Sequence, residues 1–315
     1  MRTILDIITP INIAEEREKF FQSSTYNPVF RYKWTSKEIQ EFANKHAKYR
    51  KLALAIEKQN SDSIIKEAQA VFETQIEKDY LVIAQNIISS NPDLPNESIL
   101  TKKVIIEFQR VLHYFDLSYS FTVVPHAGFN CRPIHEKKVI QVNEAIDFHF
   151  FSLDGLIKHE MTHILRYVNG KHNKISRSSN YLPTEEGLAS FMQDTYGEYG
   201  DASLFQHAAE YTATEIGLKS SLRQMIEYFC DIGFTKELAW QRAIRHKFGF
   251  VDTSQPGDIM KPSMYFYTEQ KLKELSKKDL LKLFVGKISL NEINKFQEYS
   301  GSIPQEKLLA FFAKR

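Results

Sequence analysis

Residues 153–170 read Leu-Asp-Gly-Leu-Ile-Lys-His-Glu-Met-Thr-His-Ile-Leu-Arg-Tyr-Val-Asn-Gly, and this stretch decides the fold. Leu153, Leu156, Ile157, Ile164, Leu165 and Val168 supply apolar positions at helical spacing. Ser152 is placed to cap the helix, Asp154 puts a negative charge in its first turn, and Asn169-Gly170 is a stop signal. A helix this apolar is buried. Within it, His159 and His163 stand four apart, so their imidazoles share one face and can grip one metal ion. Glu160, beside the first histidine, is then placed to act on a metal-bound water. A chance match would be a surface helix with two ordinary histidines, and the apolar surroundings argue against it.

Catalytic zinc sites usually take three protein ligands and leave a fourth position for water. Downstream, Pro183-Thr184-Glu185-Glu186-Gly187-Leu188-Ala189-Ser190-Phe191 reads as a helix start, with Thr184 as cap and two carboxylates in the first turn. A glutamate there is what a site of two histidines and one glutamate needs. Simple stabilisation of the helix dipole is the alternative, worth about 0.3–1 kcal/mol per charge.

Together, the segment from His159 to Gly170 and that from Pro183 to Ser190 resemble the microtubule-associated tyrosine carboxypeptidase family. Asn27-Pro28-Val29-Phe30-Arg31-Tyr32 is similar to an N-terminal element of that family, Lys261 and Tyr265 to a Lys-x-x-x-Tyr segment, and Phe284-Val285-Gly286-Lys287-Ile288 to a C-terminal stretch. The resemblance spans roughly residues 27–290. It implies a zinc metallopeptidase that removes a C-terminal residue, with one Zn2+ held by His159, His163 and Glu186. It further implies Glu160 as general base, and it places Glu185 behind a ligand histidine as a hydrogen-bond acceptor. One departure stands out: the family commonly spaces its histidines five apart, whereas four suits a regular α-helix.

Tyr265 is a candidate donor to the oxyanion, with an aromatic core role as its alternative. A carboxypeptidase also needs a cation for the substrate's terminal carboxylate, and arginine's planar fork serves best. Arg166, Arg245 and Lys261 are the candidates, each with a structural salt bridge as the plainer reading; Arg166 could instead neutralise Glu185. Ser118–Val124 and Lys138–Val142 read as strands, whose edge could pair with an extended substrate. The segment between them, with His126, Arg132 and His135, reads as a solvated loop.

The expected fold class is α+β, mainly α: a zincin-like core of the gluzincin type, with a small sheet surrounded by helices. Helical periodicity runs through 36–60 and 61–90, again near 98–115, and over 204–218, 222–230 and 236–245. The breaker cluster Ser89–Asn96 suggests a helical N-terminal region over 1–95 and a catalytic domain over 96–315, or one continuous domain. A net charge of +2, with no Cys-His finger or Arg-rich arm, gives no reason to expect nucleic acid. The first ten residues are too interrupted for a signal peptide, and no apolar run reaches membrane-spanning length. Two cysteines, Cys131 and Cys230, favour a reducing compartment. The expectation is a cytoplasmic protein acting on a polypeptide C-terminus, with signal-independent export left open. A zinc endopeptidase or aminopeptidase, and a catalytically silent binder of protein tails, are the competing readings.

Overall fold

A computed structural model describes residues 4–95, 97–125, 129–178 and 180–313. In chain order the helices begin with α1 (Ile4–Ile8), α2 (Ile13–Gln22), α3 (Ser36–Lys45), α4 (Arg50–Glu57), α5 (Ser61–Phe72) and α6 (Lys78–Ser89). Next come β1 (Glu97–Leu100), α7 (Thr101–Tyr114), β2 (Ser120–Val124), β3 (Cys131–Ile134), β4 (Val139–Asn143) and β5 (Ala145–Phe148). The remaining helices are α8 (Leu153–His172), α9 (Tyr181–Tyr196), α10 (Gly200–Gly217), α11 (Leu222–Asp231), α12 (Lys236–His246), α13 (Ser263–Lys273), α14 (Lys277–Lys282) and α15 (Gln305–Phe311). The class is therefore α+β and mainly α. Among the described residues, no helix is long and apolar enough to cross a membrane.

The chain divides into two compact units. One comprises Met1–Ser89 with His207–Tyr267, the other Ser90–Gln206 with Thr268–Arg315. The breaker cluster Ser89–Asn96 suggests a division near residue 95 or one continuous domain; the structure divides the chain after Ser89 and returns residues 207–267 to the first unit. The reason is packing. Phe250, Ile259, Met260 and Met264 are buried in one core with Ile39, Ile56, Ile64 and Phe72 of α3–α5.

In the second unit, β1 pairs antiparallel with β5, and a separate sheet has the order β2-β4-β3. There β2 runs parallel to β4, while β3 is antiparallel to it, with Arg132 opposite Gln141. Part of the supposed loop is thus an edge strand. Pro133 can sit in it because an edge position tolerates a missing ladder donor. His126 lies outside the described residues.

The core of this unit collects Ile140 and Val142 of β4, Phe108 and Leu112 of α7, and Leu156, Met161, Ile164 and Leu165 of α8. Helix α8 starts where its cap predicts, since Ser152 Oγ accepts the Gly155 N–H at 3.1 Å. It runs past the expected stop to His172, with Gly170 buried inside it. That glycine has a packing reason. A Cβ there would lie 3.3 Å from the Gly286 Cα, and one on Gly286 would lie 3.1 Å from the Gly170 Cα. The two bare backbones approach closely, and Asn169 and Asn173 fasten the contact by donating to Phe284 O and Val285 O, both at 2.8 Å.

Helix α9 begins earlier than its sequence suggests. Tyr181, not Glu185, opens it, and Pro183 fits the first turn because no intrahelical N–H is needed there. Thr184 is consequently not the cap. Its hydroxyl accepts the Leu290 backbone N–H at 2.7 Å, a tertiary contact. Glu185 and Glu186 fall in the second turn, beyond the reach of a simple dipole explanation.

Candidate metal centre

The two central helices of the second unit, α8 and α9, bring the motif residues together. The His159 and His163 rings have centroids 5.0 Å apart at an interplanar angle of 77°. Glu186 Oε2 lies 3.9 Å from His159 Nε2. Donor atoms of His159, His163 and Glu186 all fall within 4.8 Å of one another. Ligands at about 2.0–2.2 Å around a tetrahedral ion are roughly 3.4 Å apart, so no pair of these three needs to close by more than about 1.4 Å. Two imidazoles and a carboxylate are the donor types a catalytic zinc or similar divalent ion takes. The residues fit such an ion.

Glu185 lies behind His163. It is 2% exposed, and its Oε1 is 3.0 Å from His163 Nδ1. Arg166 donates to its other oxygen, and Lys287 Nζ donates to Oε1 at 2.5 Å. Burial alone would raise the Glu185 pKa, but Arg166, Lys287 and His163 together hold it far below the usual carboxylate range. An ionised carboxylate can only accept, so His163 Nδ1 carries the proton and its Nε2 is left for a metal. Burial disfavours the charged His163 ring, yet Glu185, Glu186 and Glu160 raise its pKa nonetheless. Negative charge is concentrated where a cation would sit.

Glu160 is 7% exposed and lines the same open pocket as His159, His163 and Glu186. Burial pushes its carboxyl up to about 7; His163 pulls it back, and Glu186 adds to the rise. The pocket has a volume near 270 Å³. Its other walls include Cys131, Arg132 and Pro133 of β3, with His135, Tyr181 and Lys287.

Three of the proposed substrate contacts have other surroundings. Arg166 is fully buried, and besides Glu185 it donates to the carbonyls of Leu283, Gly286 and Ile288. Its fork is used up inside the protein, which leaves it the role of neutralising Glu185. Arg245 belongs to the first unit, where its Nη1 is 3.3 Å from Glu210 Oε1. Lys261 and Tyr265 belong there too, with Lys261 Nζ 3.3 Å from the Tyr265 hydroxyl and the Tyr265 ring stacked on His207.

Sequence reasoning gave no role to Lys287 or Tyr181. Lys287 lies in Phe284–Ile288, where a lysine between Gly286 and Ile288 in an apolar stretch is the available signal. Tyr181 offered none, because the helix start was placed after it.

The site thus defines a mainly helical α+β protein with a two-histidine, one-glutamate donor set. No family model matches the chain. Among curated proteins, Microtubule-associated tyrosine carboxypeptidase 1 of Mus musculus is 25% identical over 276 residues, 83% of this chain and 55% of its own length. The Mus musculus protein named "Putative tyrosine carboxypeptidase MATCAP2" is 27% identical over 316 residues, 94% of this chain and 56% of its own. Microtubule-associated tyrosine carboxypeptidase 1 of Homo sapiens is 26% identical over 286 residues, 83% and 54%. The chain is thus similar to these proteins at 25–27% identity over most of its length. It spans about half the length of the curated relatives it matches.

Proposed function

We propose that the chain is a zinc-dependent carboxypeptidase with a zincin-like core, hydrolysing the last peptide bond of a polypeptide. The observation that carries this is the convergence of His159, His163 and Glu186 on one point, with Glu160 lining the same pocket. In this reading the three residues hold one Zn2+. Bound there, zinc would supply Lewis acidity and would lower the pKa of a bound water towards about 7.

The protein's own groups do the rest. Glu160 takes the proton of the attacking water and passes it to the leaving amine. Glu185 fixes the ring orientation of His163, and Arg166 with Lys287 keeps Glu185 ionised. Water can enter, because the pocket is open to solvent on one side.

A terminal tyrosine is the first residue to try, since the relatives' names carry tyrosine carboxypeptidase. Metal analysis tests the ligand set. Glu186→Gln should lose most of its zinc, whereas Glu160→Gln should keep zinc and lose turnover. Full zinc occupancy in Glu186→Gln would remove Glu186 from the ligand set.

A further inference from the structure

We infer that Arg132 of β3 is the group that receives the free α-carboxylate of the substrate. The inference rests on the carboxypeptidase reading above and deepens it. Such an enzyme needs one unneutralised cation within reach of its reacting centre. Among the described residues, the pocket that holds His159, Glu160, His163 and Glu186 is lined by the lysine and arginine side chains of Lys287 and Arg132. Lys287 is already committed: Glu185 accepts from its ammonium at 2.5 Å, and it lies 3.2 Å from His135 Nε2.

Arg132 differs in its partners. Its Nε and Nη2 both donate to Gln141 Oε1, at 3.2 and 2.7 Å, and the guanidinium lies 4.4 Å from the Phe129 ring centroid. An amide oxygen and an aromatic face fix the plane of the fork without cancelling its charge. Among the described residues no hydrogen-bond partner takes Nη1, so the edge bearing it can meet a planar carboxylate. Gln141 stands opposite Arg132 in the ladder, so the fork is held by a rigid strand pair rather than by a loop.

The strand itself favours a chain end over a long extended segment. Asn130 O accepts the Asn143 N–H, so residues 130, 132 and 134 turn their backbone groups towards β4. Cys131 and Pro133 then face outward, and Pro133 has no N–H to give. A substrate strand could gain little ladder along this edge. At about 270 Å³ the pocket is also smaller than most ligand sites, which suits one terminal residue.

Calorimetric binding of N-acetyl-tyrosine and of its C-terminal amide tests this without turnover. Wild type should bind the acid more tightly than the amide. Arg132→Ala should weaken the acid by roughly 10–100-fold and leave the amide unchanged, since a hydrogen bond to a charged group is lost. Arg132→Lys should restore part of the preference. Equal affinity of wild type for acid and amide overturns the inference, as does an acid preference that survives in Arg132→Ala. The exposed position of Arg132 lets the variant fold, and an unchanged melting temperature checks it. Should the acid preference depend on Arg132 while peptides resist hydrolysis, the carboxypeptidase reading fails alone. If peptides are trimmed and Arg132→Ala keeps the preference, only this inference fails.

Discussion

Glu185 accepts the Nδ1 proton of His163 at 3.0 Å, and that one contact ties the ring of this proposed ligand to two buried cations, Arg166 and Lys287. In the proposed site the carboxylate orients His163 and is not itself a ligand. Glu185→Gln should therefore weaken zinc binding about 10–100-fold while leaving one ion bound at saturating metal. Competitive zinc titration measures it, and complete loss of binding would make Glu185 a ligand in its own right.

Arg166 should behave as a structural residue. Removing it leaves Glu185 buried beside one cation fewer and strips three carbonyls of their donor. Arg166→Ala should lower stability by about 3–5 kcal/mol, the range for breaking a buried ion pair. Chemical denaturation checks the loss. A variant as stable as wild type, with a selective rise in KM for free-acid peptides, would return Arg166 to the substrate.

Gly187 is held to its identity by Thr268. A Cβ at 187 would sit 2.4 Å from both the Cβ and the Cγ2 of Thr268. Gly187→Ala should cost about 1–3 kcal/mol by overpacking and, through its neighbour Glu186, weaken metal binding. Thr268→Gly in the same chain removes both clashing atoms and should recover the metal affinity. Thermal melts with and without zinc read both effects; an unperturbed Gly187→Ala would mean α9 can shift freely.

The first unit carries an acid-sensitive pair. Burial alone would raise the Glu210 pKa, but Arg245 and Arg242, helped by His246 and His207, bring it below the usual carboxylate value. A folded pKa below the unfolded one contributes stability that is present above about 4.5 and lost as pH falls through the folded value. Glu210→Gln should therefore cost about 1–3 kcal/mol near neutral pH and progressively less below pH 4.5. Denaturation of both proteins between pH 3 and 7 gives the difference, and a gap that widens in acid would contradict the assignment.

How far these features were legible follows from where their information lies in the chain. Helix α8 was readable because its cap, periodicity and histidine pair are all local. Glu185 stands next to Glu186 in sequence, and its contact with His163, 22 residues upstream, depends on how α8 and α9 pack. Thr184 misled because a hydroxyl before two carboxylates looks like a cap; its true partner, the Leu290 N–H, is 106 residues away. Lys287 reaches Glu185 across 102 residues, through a glycine contact that no periodicity announces. Strand β3 was hidden by Pro133, which reads as a breaker unless the strand is known to be an edge. The return of residues 207–267 to the first unit was equally silent, since helical spacing shows that a face is apolar but not which core it joins.

The most direct test is mass spectrometry of a tyrosine-terminated peptide and its C-terminal amide, each incubated with the zinc-loaded protein and with Glu160→Gln. Wild type should remove a single residue from the free acid and leave the amide intact, and Glu160→Gln should cut neither. Internal fragments, or equal cleavage of acid and amide, would contradict the carboxypeptidase reading.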